Sequence, residues 1–237
     1  MIKKQLKGKI FLADERCFNK TEHFQSFYTF NFGKYKNEHK QPFGNLTVLN
    51  DDVLAEDCSV KMITEENYYV VLLPVMGAIA YSDVADSKNF LAAGQVQLMQ
   101  FPKPTIYQIT NPFSDNAVNC IQLWIKADKI TNNDPPLILS YKDVNKNLNQ
   151  LANIFQVNEQ AVDLPFSISI GKFLGRGETV HRLKKNNSRL FVFVLAGAFE
   201  VEGRLVHARD GLALWETTEI EMEALSNDAI VLLIEME

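Results

Sequence analysis

The chain has 237 residues, of which 46% are hydrophobic and 22% are charged, and its formal net charge is −5. This length can bury a core for one large β domain or two small ones, and the composition is that of a globular protein. The negative charge argues against a protein that binds the phosphate backbone of nucleic acids. We also expect no direct contact with membranes, because no run of 18 apolar residues occurs.

The cysteines and the N-terminus indicate the compartment. Cys17, Cys58 and Cys120 form no C-x-x-C motif, and their odd number does not suggest a disulfide framework. The lysines among the first nine residues are not followed by the apolar segment of a secretory signal. We therefore expect a cytoplasmic protein.

Short runs rich in Val, Ile, Phe and Tyr recur along the chain, separated by Gly, Asn, Asp and Pro, and this pattern is typical of strands. They predict strands near residues 27–32, 46–49, 68–73, 96–99, 120–125, 166–173, 190–195 and 230–234. One segment differs, because Val144, Leu148, Leu151 and Phe155 recur at helical spacing. A short helix and a short strand are both open interpretations there.

A weak internal repeat divides the chain. Residues 70–81 (VVLLPVMGAIAY) resemble residues 191–203 (FVFVLAGAFEVEG), which aligns Gly77 with Gly197. Two further matches follow in the same order, Ala93 with Ala208 and residues 114–118 with 226–230. A duplicated β unit predicts an all-β fold with two barrels in tandem. We place the N-terminal barrel at residues 1–130, a connector at 131–160 and the C-terminal barrel at 161–237.

No motif or residue spacing in the sequence by itself indicates an active site. The four histidines, at positions 23, 39, 181 and 207, have no short metal-binding spacing, and no G-x-S-x-G motif occurs. Asp51 and Asp52 are interpreted as polar residues that end a strand at a turn. We therefore assign no catalytic residue, no metal and no cofactor.

Several segments, in order, resemble the pirin family. They are FNFGKY at 30–35, FGNLTVLNDD at 43–52, GQVQLM at 94–99, IQLWI at 121–125, VFVLAG at 192–197, DGLALW at 210–215 and AIVLLI at 229–234. The resemblance covers nearly the whole chain and implies a bicupin, with two cupin barrels of the jelly-roll type. It also implies one metal site in the N-terminal barrel, held by three histidines and a glutamate. Some family members are quercetin dioxygenases, and eukaryotic members are associated with transcriptional regulators.

The family's metal ligands are replaced in this chain. Counted from the flanking motifs, the first two histidine positions fall on Ile63 and Glu65, the third on Tyr107 and the glutamate position on Ile109. No histidine occurs between His39 and His181. An isoleucine offers no lone pair to a metal, so a site that needs several converging imidazoles or carboxylates is not expected.

We expect Ile63, Glu65, Tyr107 and Ile109 to lie together at the vacated site. Side chains fill it, or it remains a pocket for a small organic ligand, and Glu65 facing Tyr107 could form a hydrogen bond between strands. The hypothesis that follows is a metal-free binding or regulatory protein, with a small organic ligand or a protein as partner. The alternative is an enzyme, either a quercetinase-like dioxygenase or a metal-independent enzyme that uses Glu65 and Tyr107.

Overall fold

A computed structural model describes residues 5–83, 89–130, 136–157, 160–185 and 187–237. These residues form short 3-10 helices and β-strands but no α-helix. The strands are β1 (Lys7–Phe11), β2 (Cys17–Lys20), β3 (Phe24–Tyr28), β4 (Leu46–Leu54), β5 (Ser59–Thr64), β6 (Tyr68–Met76), β7 (Ala78–Asp83), β8 (Asn89–Ala92), β9 (Gln95–Phe101), β10 (Thr105–Thr110), β11 (Val118–Lys126), β12 (Leu137–Ser140), β13 (Gln150–Asn153), β14 (Gln156–Val157), β15 (Gln160–Ala161), β16 (Phe166–Phe173), β17 (Glu178–Arg182), β18 (Arg189–Ala196), β19 (Ala198–Val201), β20 (Arg204–His207), β21 (Gly211–Trp215), β22 (Glu219–Ala224) and β23 (Ala229–Met236). The 3-10 helices are Ala13–Glu15, Glu38–Lys40 and Lys142–Asn145. Within the described part of the chain, no helix is long and apolar enough to cross a membrane.

The chain folds as two compact units, and the fold is the expected all-β bicupin. The N-terminal unit comprises Arg16–Ser140, and the C-terminal unit comprises Met1–Glu15 and Tyr141–Glu237. The boundary differs from the sequence division, which assigns the first residues to the N-terminal barrel. The reason is strand pairing, since β1 adds to the edge of a C-terminal sheet beside β21. Phe11 is buried there against the ring of Phe191, at 5.7 Å between ring centroids.

Each unit contains a larger and a smaller antiparallel sheet. In the N-terminal unit the strand orders are β12-β9-β6-β11-β4-β3-β2 and β5-β10-β7-β8. In the C-terminal unit they are β1-β21-β18-β23-β16-β13 and β17-β22-β19-β20. The repeat seen in the sequence is thus a repeat of sheet topology. The buried cluster of the N-terminal unit draws side chains from both of its sheets, and so does the cluster of the C-terminal unit.

Gly77 and Gly197 occupy the same point in the two units. Each joins two strands, β6 to β7 and β18 to β19, at φ +77° and +75°. A Cβ at Gly77 would approach Val118 to 2.8 Å, and one at Gly197 would approach Ala229 to 2.9 Å. Both the positive φ and the close approach require glycine.

The segment with helical spacing contains a short helix and a strand. The 3-10 helix Lys142–Asn145 comes first, and β13 then pairs with β16. Val144, in the 3-10 helix, and Phe155, which follows β13, are both buried. Part of the predicted connector, residues 131–135 and 158–159, lies outside the described residues.

Candidate functional site

Three of the four predicted positions lie on two adjacent strands of the smaller N-terminal sheet and the fourth, Glu65, follows one of them, but the four do not share a face. Tyr107 and Ile109, both on β10, are each 1% exposed, whereas Ile63 on β5 is 56% exposed and Glu65, just after β5, is also exposed. Because alternate residues of a strand face opposite sides, Met62 is buried opposite Tyr107 while Ile63 pairs with Ile106. The four residues therefore do not line one pocket.

Tyr107 lies at the centre of a buried hydrogen-bond chain instead of facing Glu65. Its hydroxyl donates to Gln122 Oε1 at 2.7 Å and accepts from the indole nitrogen of Trp124 at 2.9 Å. The Nε2 of Gln122 donates to Asp52 Oδ2, and the hydroxyl of Ser26 donates to Asp52 Oδ1. This set of residues, hereafter the Asp52 chain, joins the smaller sheet to three strands of the larger sheet.

Strand register explains why these polar groups meet. On the larger sheet, Asp52 lies directly opposite Cys120 and Ser26, while Gln122 lies opposite Asn50. These residues share the inward face with Val48, Leu54 and Trp124 of the buried cluster. Neighbouring inward positions on adjacent strands are close enough for side chains to bond diagonally. The interior between the two sheets thus holds polar as well as apolar groups.

Asp52 is buried, and no cationic side chain among the described residues pairs with it. It is 1% exposed, and its contacts in the structure are neutral or anionic. Burial raises the pKa of Asp52 to about 7, the repulsion of Asp51 adds to the rise, and the hydrogen bonds from Ser26 and Gln122 oppose it. This carboxyl therefore changes its charge close to neutral pH.

Asp51 faces the other side of the same strand and is paired. It accepts from Asn119 Nδ2 at 2.7 Å and from Arg16 Nη1 at 3.4 Å, and the Arg16 guanidinium lies 5.0 Å from the ring centre of Phe27. The interpretation of Asp51 and Asp52 as residues that end a strand at a turn is wrong. Both lie inside β4 and are buried, because each face of this strand provides hydrogen-bond partners.

The side chains at the four predicted positions do not fit a metal. Ile63 and Ile109 have no donor atom, and Glu65 points away from the interior. Burial raises the pKa of Tyr107 well above its usual value, so its phenol stays protonated and engaged with Gln122 and Trp124. Among the described residues, no group of three or more His, Cys, Asp or Glu side chains could hold a metal ion.

The C-terminal unit contains a partly buried contact between a histidine and a glutamate. His181 Nε2 lies 3.4 Å from Glu235 Oε2, and the backbone N–H of Lys184 donates to Glu235 Oε1 at 2.6 Å. Burial raises the pKa of Glu235, but the bonds from His181 and Lys184 outweigh it, so the pKa is lowered overall. The pair links strands of the two C-terminal sheets and is structural.

The outer face of the smaller C-terminal sheet is acidic. A groove of about 840 Å³ on this unit is lined by five glutamates, Glu178, Glu200, Glu202, Glu221 and Glu223. Strand register sets Glu223 directly between Glu178 and Glu200. Arg176 pairs with Glu223 at 2.5 Å. On the equivalent N-terminal face, Lys61, Gln108 and Ser82 lie in register, and these three described residues include no acid.

Sequence reasoning misses the Asp52 chain. Gln122 and Trp124 appear there only as part of an apolar strand, and Ser26 is not singled out. A signal is present, because a polar residue inside a continuously apolar run must find its partner inside the protein. Asp52 in LTVLNDDVL and Gln122 in VNCIQLWIK are two such residues.

Comparisons with known proteins agree with this fold. A family model described as Pirin matches residues 12–125, and one described as the quercetinase C-terminal cupin domain matches residues 159–236. The chain is 22% identical to a quercetin 2,3-dioxygenase of Escherichia coli K12, over 93% of this chain and 95% of that protein.

Solved structures are similar over nearly the whole chain. The bacterial pirin YhhW of E. coli in complex with nickel(II) matches with a TM-score of 0.82 and 21% identity, over 97% of this chain and 99% of the other. A quercetin 2,3-dioxygenase from Acinetobacter baumannii matches with a TM-score of 0.72 and 16% identity, over 98% and 79%. At these identities the likeness concerns the fold.

Proposed function

Since the chain belongs to the pirin family, and since the side chains at the family's ligand positions do not converge on one point, we propose that it acts as a metal-independent binding or regulatory protein. The observation that carries this proposal is the opposite orientation of Ile63 and Tyr107, the first exposed and the second buried. Its partner is a small organic molecule or another protein.

The chemistry of the side chains at the predicted site also supports a protein without dioxygenase activity. A metal-dependent dioxygenase needs a metal held by several imidazoles or carboxylates, with positions left open for substrate and oxygen. In this chain Tyr107 keeps its proton, and its oxygen already takes part in two hydrogen bonds. Among the described residues, Tyr107 therefore does not supply a metal ligand for the family's oxygenation.

The second candidate is a quercetinase-like enzyme, which the names of the relatives favour. A metal-independent version with Glu65 and Tyr107 as an acid–base pair has no geometric support, because the two residues face opposite sides of the sheet. A general base must lie within hydrogen-bond reach of the proton that it removes. The dioxygenase version is therefore the one to test.

Metal analysis and oxygen consumption separate the two candidates. The purified chain is incubated with iron(II), nickel(II) or manganese(II), desalted and analysed for bound metal, and oxygen uptake is then followed with quercetin. The E. coli quercetin 2,3-dioxygenase serves as positive control under the same conditions. We expect less than stoichiometric metal and background oxygen uptake. One tightly held metal per chain, together with quercetin-dependent uptake, would establish the enzyme and overturn our proposal.

The binding role has a direct readout of its own. Native and denaturing mass spectrometry of the same preparation compare the mass of the folded chain with that of the unfolded chain. A mass excess that disappears on denaturation identifies a bound small molecule. Titration of that molecule into refolded protein should then raise the unfolding temperature, since a ligand of the native state stabilises it.

A further inference from the structure

We propose that protonation of Asp52 reverses the amide of Gln122, so that the charge state of a buried carboxyl is transmitted to the hydroxyl of Tyr107. The chain of hydrogen bonds from Trp124 through Tyr107 and Gln122 to Asp52 is the geometric basis. The coupling would be an internal pH-sensitive device of the N-terminal barrel, independent of any metal and of the function proposed above.

In the structure all donors of the Asp52 chain point toward the carboxyl. Trp124 donates to Tyr107, Tyr107 donates to Gln122, and Gln122 donates to Asp52. The second carboxyl oxygen accepts from Ser26. This order satisfies an ionised carboxylate, which only accepts hydrogen bonds. This order of donors and acceptors suits the charged form of Asp52.

A neutral Asp52 needs a different order, because its carboxyl then carries a proton that must be donated. Rotation of the Gln122 amide by a half turn places Oε1 toward Asp52 and Nε2 toward Tyr107. The oxygen and nitrogen of an amide have nearly the same size, so the rotation changes donors and acceptors without changing packing. Tyr107 then accepts from both Gln122 and Trp124, and its hydroxyl gives up its donor bond to Gln122, a cost that the new hydrogen bond at Asp52 must exceed.

The surroundings place this change near neutral pH. Asp52 is buried, and the titratable groups that face it are Asp51 on its own strand, Tyr28 on β3, Cys120 on β11 and Tyr107 on β10. Each of them is neutral or negative at pH 7, so none stabilises a carboxylate by attraction. The cation of this region, Arg16, pairs with Asp51 on the opposite face of β4.

Ser26 offers the competing route. Its hydroxyl could turn and accept the new proton of Asp52, which would leave Gln122 and Tyr107 unchanged. Ser26 and Gln122 each face one of the two carboxyl oxygens, and we favour the amide because an amide oxygen is the stronger acceptor. The two routes predict different behaviour at Gln122, which makes them experimentally distinct.

NMR spectroscopy of the full chain between pH 5 and pH 9 tests the proposal. The measured signals are the Asp52 side-chain carbon, the side-chain amide of Gln122 and the indole N–H of Trp124. We expect all three to change with one midpoint near pH 7. Nuclear Overhauser contacts from the Gln122 amide protons should reach the Tyr107 ring only at low pH, an effect that a distant change of charge would not produce. Trp215 in the C-terminal unit supplies an internal control indole.

Variants complete the test. Asp52→Asn should abolish all three transitions, whereas Asp51→Asn should keep them, because Asp51 faces Arg16. Should Asp52→Asn fail to fold, Ser26→Ala gives a second test, since it removes the competing acceptor and should preserve the transition at Gln122. The proposal is overturned if Asp52 does not titrate in this range, or if it titrates while the contacts of the Gln122 amide stay the same.

Discussion

The amide of Gln122 reaches the carboxyl of Asp52 diagonally across β4 and β11, since the residue directly opposite Asp52 is Cys120. Diagonal neighbours on one face of a sheet interact when their side chains are long or polar. The contact places a carboxyl group inside the N-terminal barrel with hydrogen-bond donors but no cation. The free energy of unfolding of the protein should therefore decrease, and not increase, as this carboxyl loses its proton.

Asp52 should make the protein less stable as the pH rises. Its folded-state pKa of about 7 exceeds the ordinary 3.8, so the folded protein binds more protons than the unfolded chain between these values. Its contribution is fully present below about pH 4 and is lost by a few kcal/mol as the pH rises through 7. Urea denaturation at pH 5 and pH 8 should show this loss in the parent protein and a much smaller one in Asp52→Asn.

A matched variant checks that the effect belongs to this carboxyl. Asp51 is the adjacent residue but pairs with Arg16 and Asn119. Asp51→Asn should therefore retain most of the dependence of unfolding free energy on pH between 5 and 8, reduced only by the loss of the repulsion between Asp51 and Asp52. An equal flattening in both variants would show that general charge, and not burial of Asp52, determines the slope.

Removing the hydroxyl of Tyr107 should be costly. Tyr107→Phe leaves the indole N–H of Trp124 and the Oε1 of Gln122 without their partner inside the barrel. A buried polar group left unsatisfied costs about 1–3 kcal/mol. Chemical denaturation at pH 7 measures this loss of unfolding free energy.

Tyr68 provides the control, because its ring also packs against Trp124, at 5.3 Å between centroids, but it is only partly buried. Tyr68→Phe should change stability by less than about 0.5 kcal/mol, as surface substitutions usually do. A similar effect of the two variants would contradict the special role of the Tyr107 hydroxyl.

Ile63 and Ile109 should respond very differently to truncation. Ile109→Ala creates a cavity in the buried cluster and should cost about 2–5 kcal/mol, whereas Ile63→Ala removes mostly exposed atoms and should cost less than about 0.5 kcal/mol. Both residues lie in the smaller N-terminal sheet, so each controls for the other. Equal costs would mean that Ile63 faces inward, as the motif spacing suggests, and would reopen the predicted pocket.

The contrast between these isoleucines also shows how far the sequence can predict the molecule. The all-β class and the two barrels follow from apolar runs and from the repeat around Gly77 and Gly197, which are local signals. The orientation of Ile63 does not follow, because a shift of one residue in strand register exchanges the two faces. Motif spacing identifies the position along the chain but not the face.

The Asp52 chain is hidden from the sequence for another reason. Its members come from β3, β4, β10 and β11, and the hydrogen bond between Asp52 and Gln122 joins residues 70 positions apart. Only the pairing of strands brings them together. The first strand behaves similarly, since nothing local to Lys7–Phe11 indicates that it pairs with β21, which lies far along the chain.

The acidic sheet face offers a last prediction, on the cost of like charges. Glu200 is exposed and lies directly opposite Glu223, which in turn lies opposite Glu178. Like charges in facing positions destabilise a sheet, and such cross-strand effects amount to about 0.2–1 kcal/mol. Glu200→Gln should therefore raise the unfolding free energy at pH 7 and low salt by an amount near the lower end of this range, because Arg176 already offsets part of the charge of Glu223. Glu219→Gln on the same face should give no gain, because Glu219 pairs with Arg182 at 3.3 Å. Addition of 1 M salt should remove the difference by screening, and a gain that persists in high salt would indicate a cause other than charge repulsion.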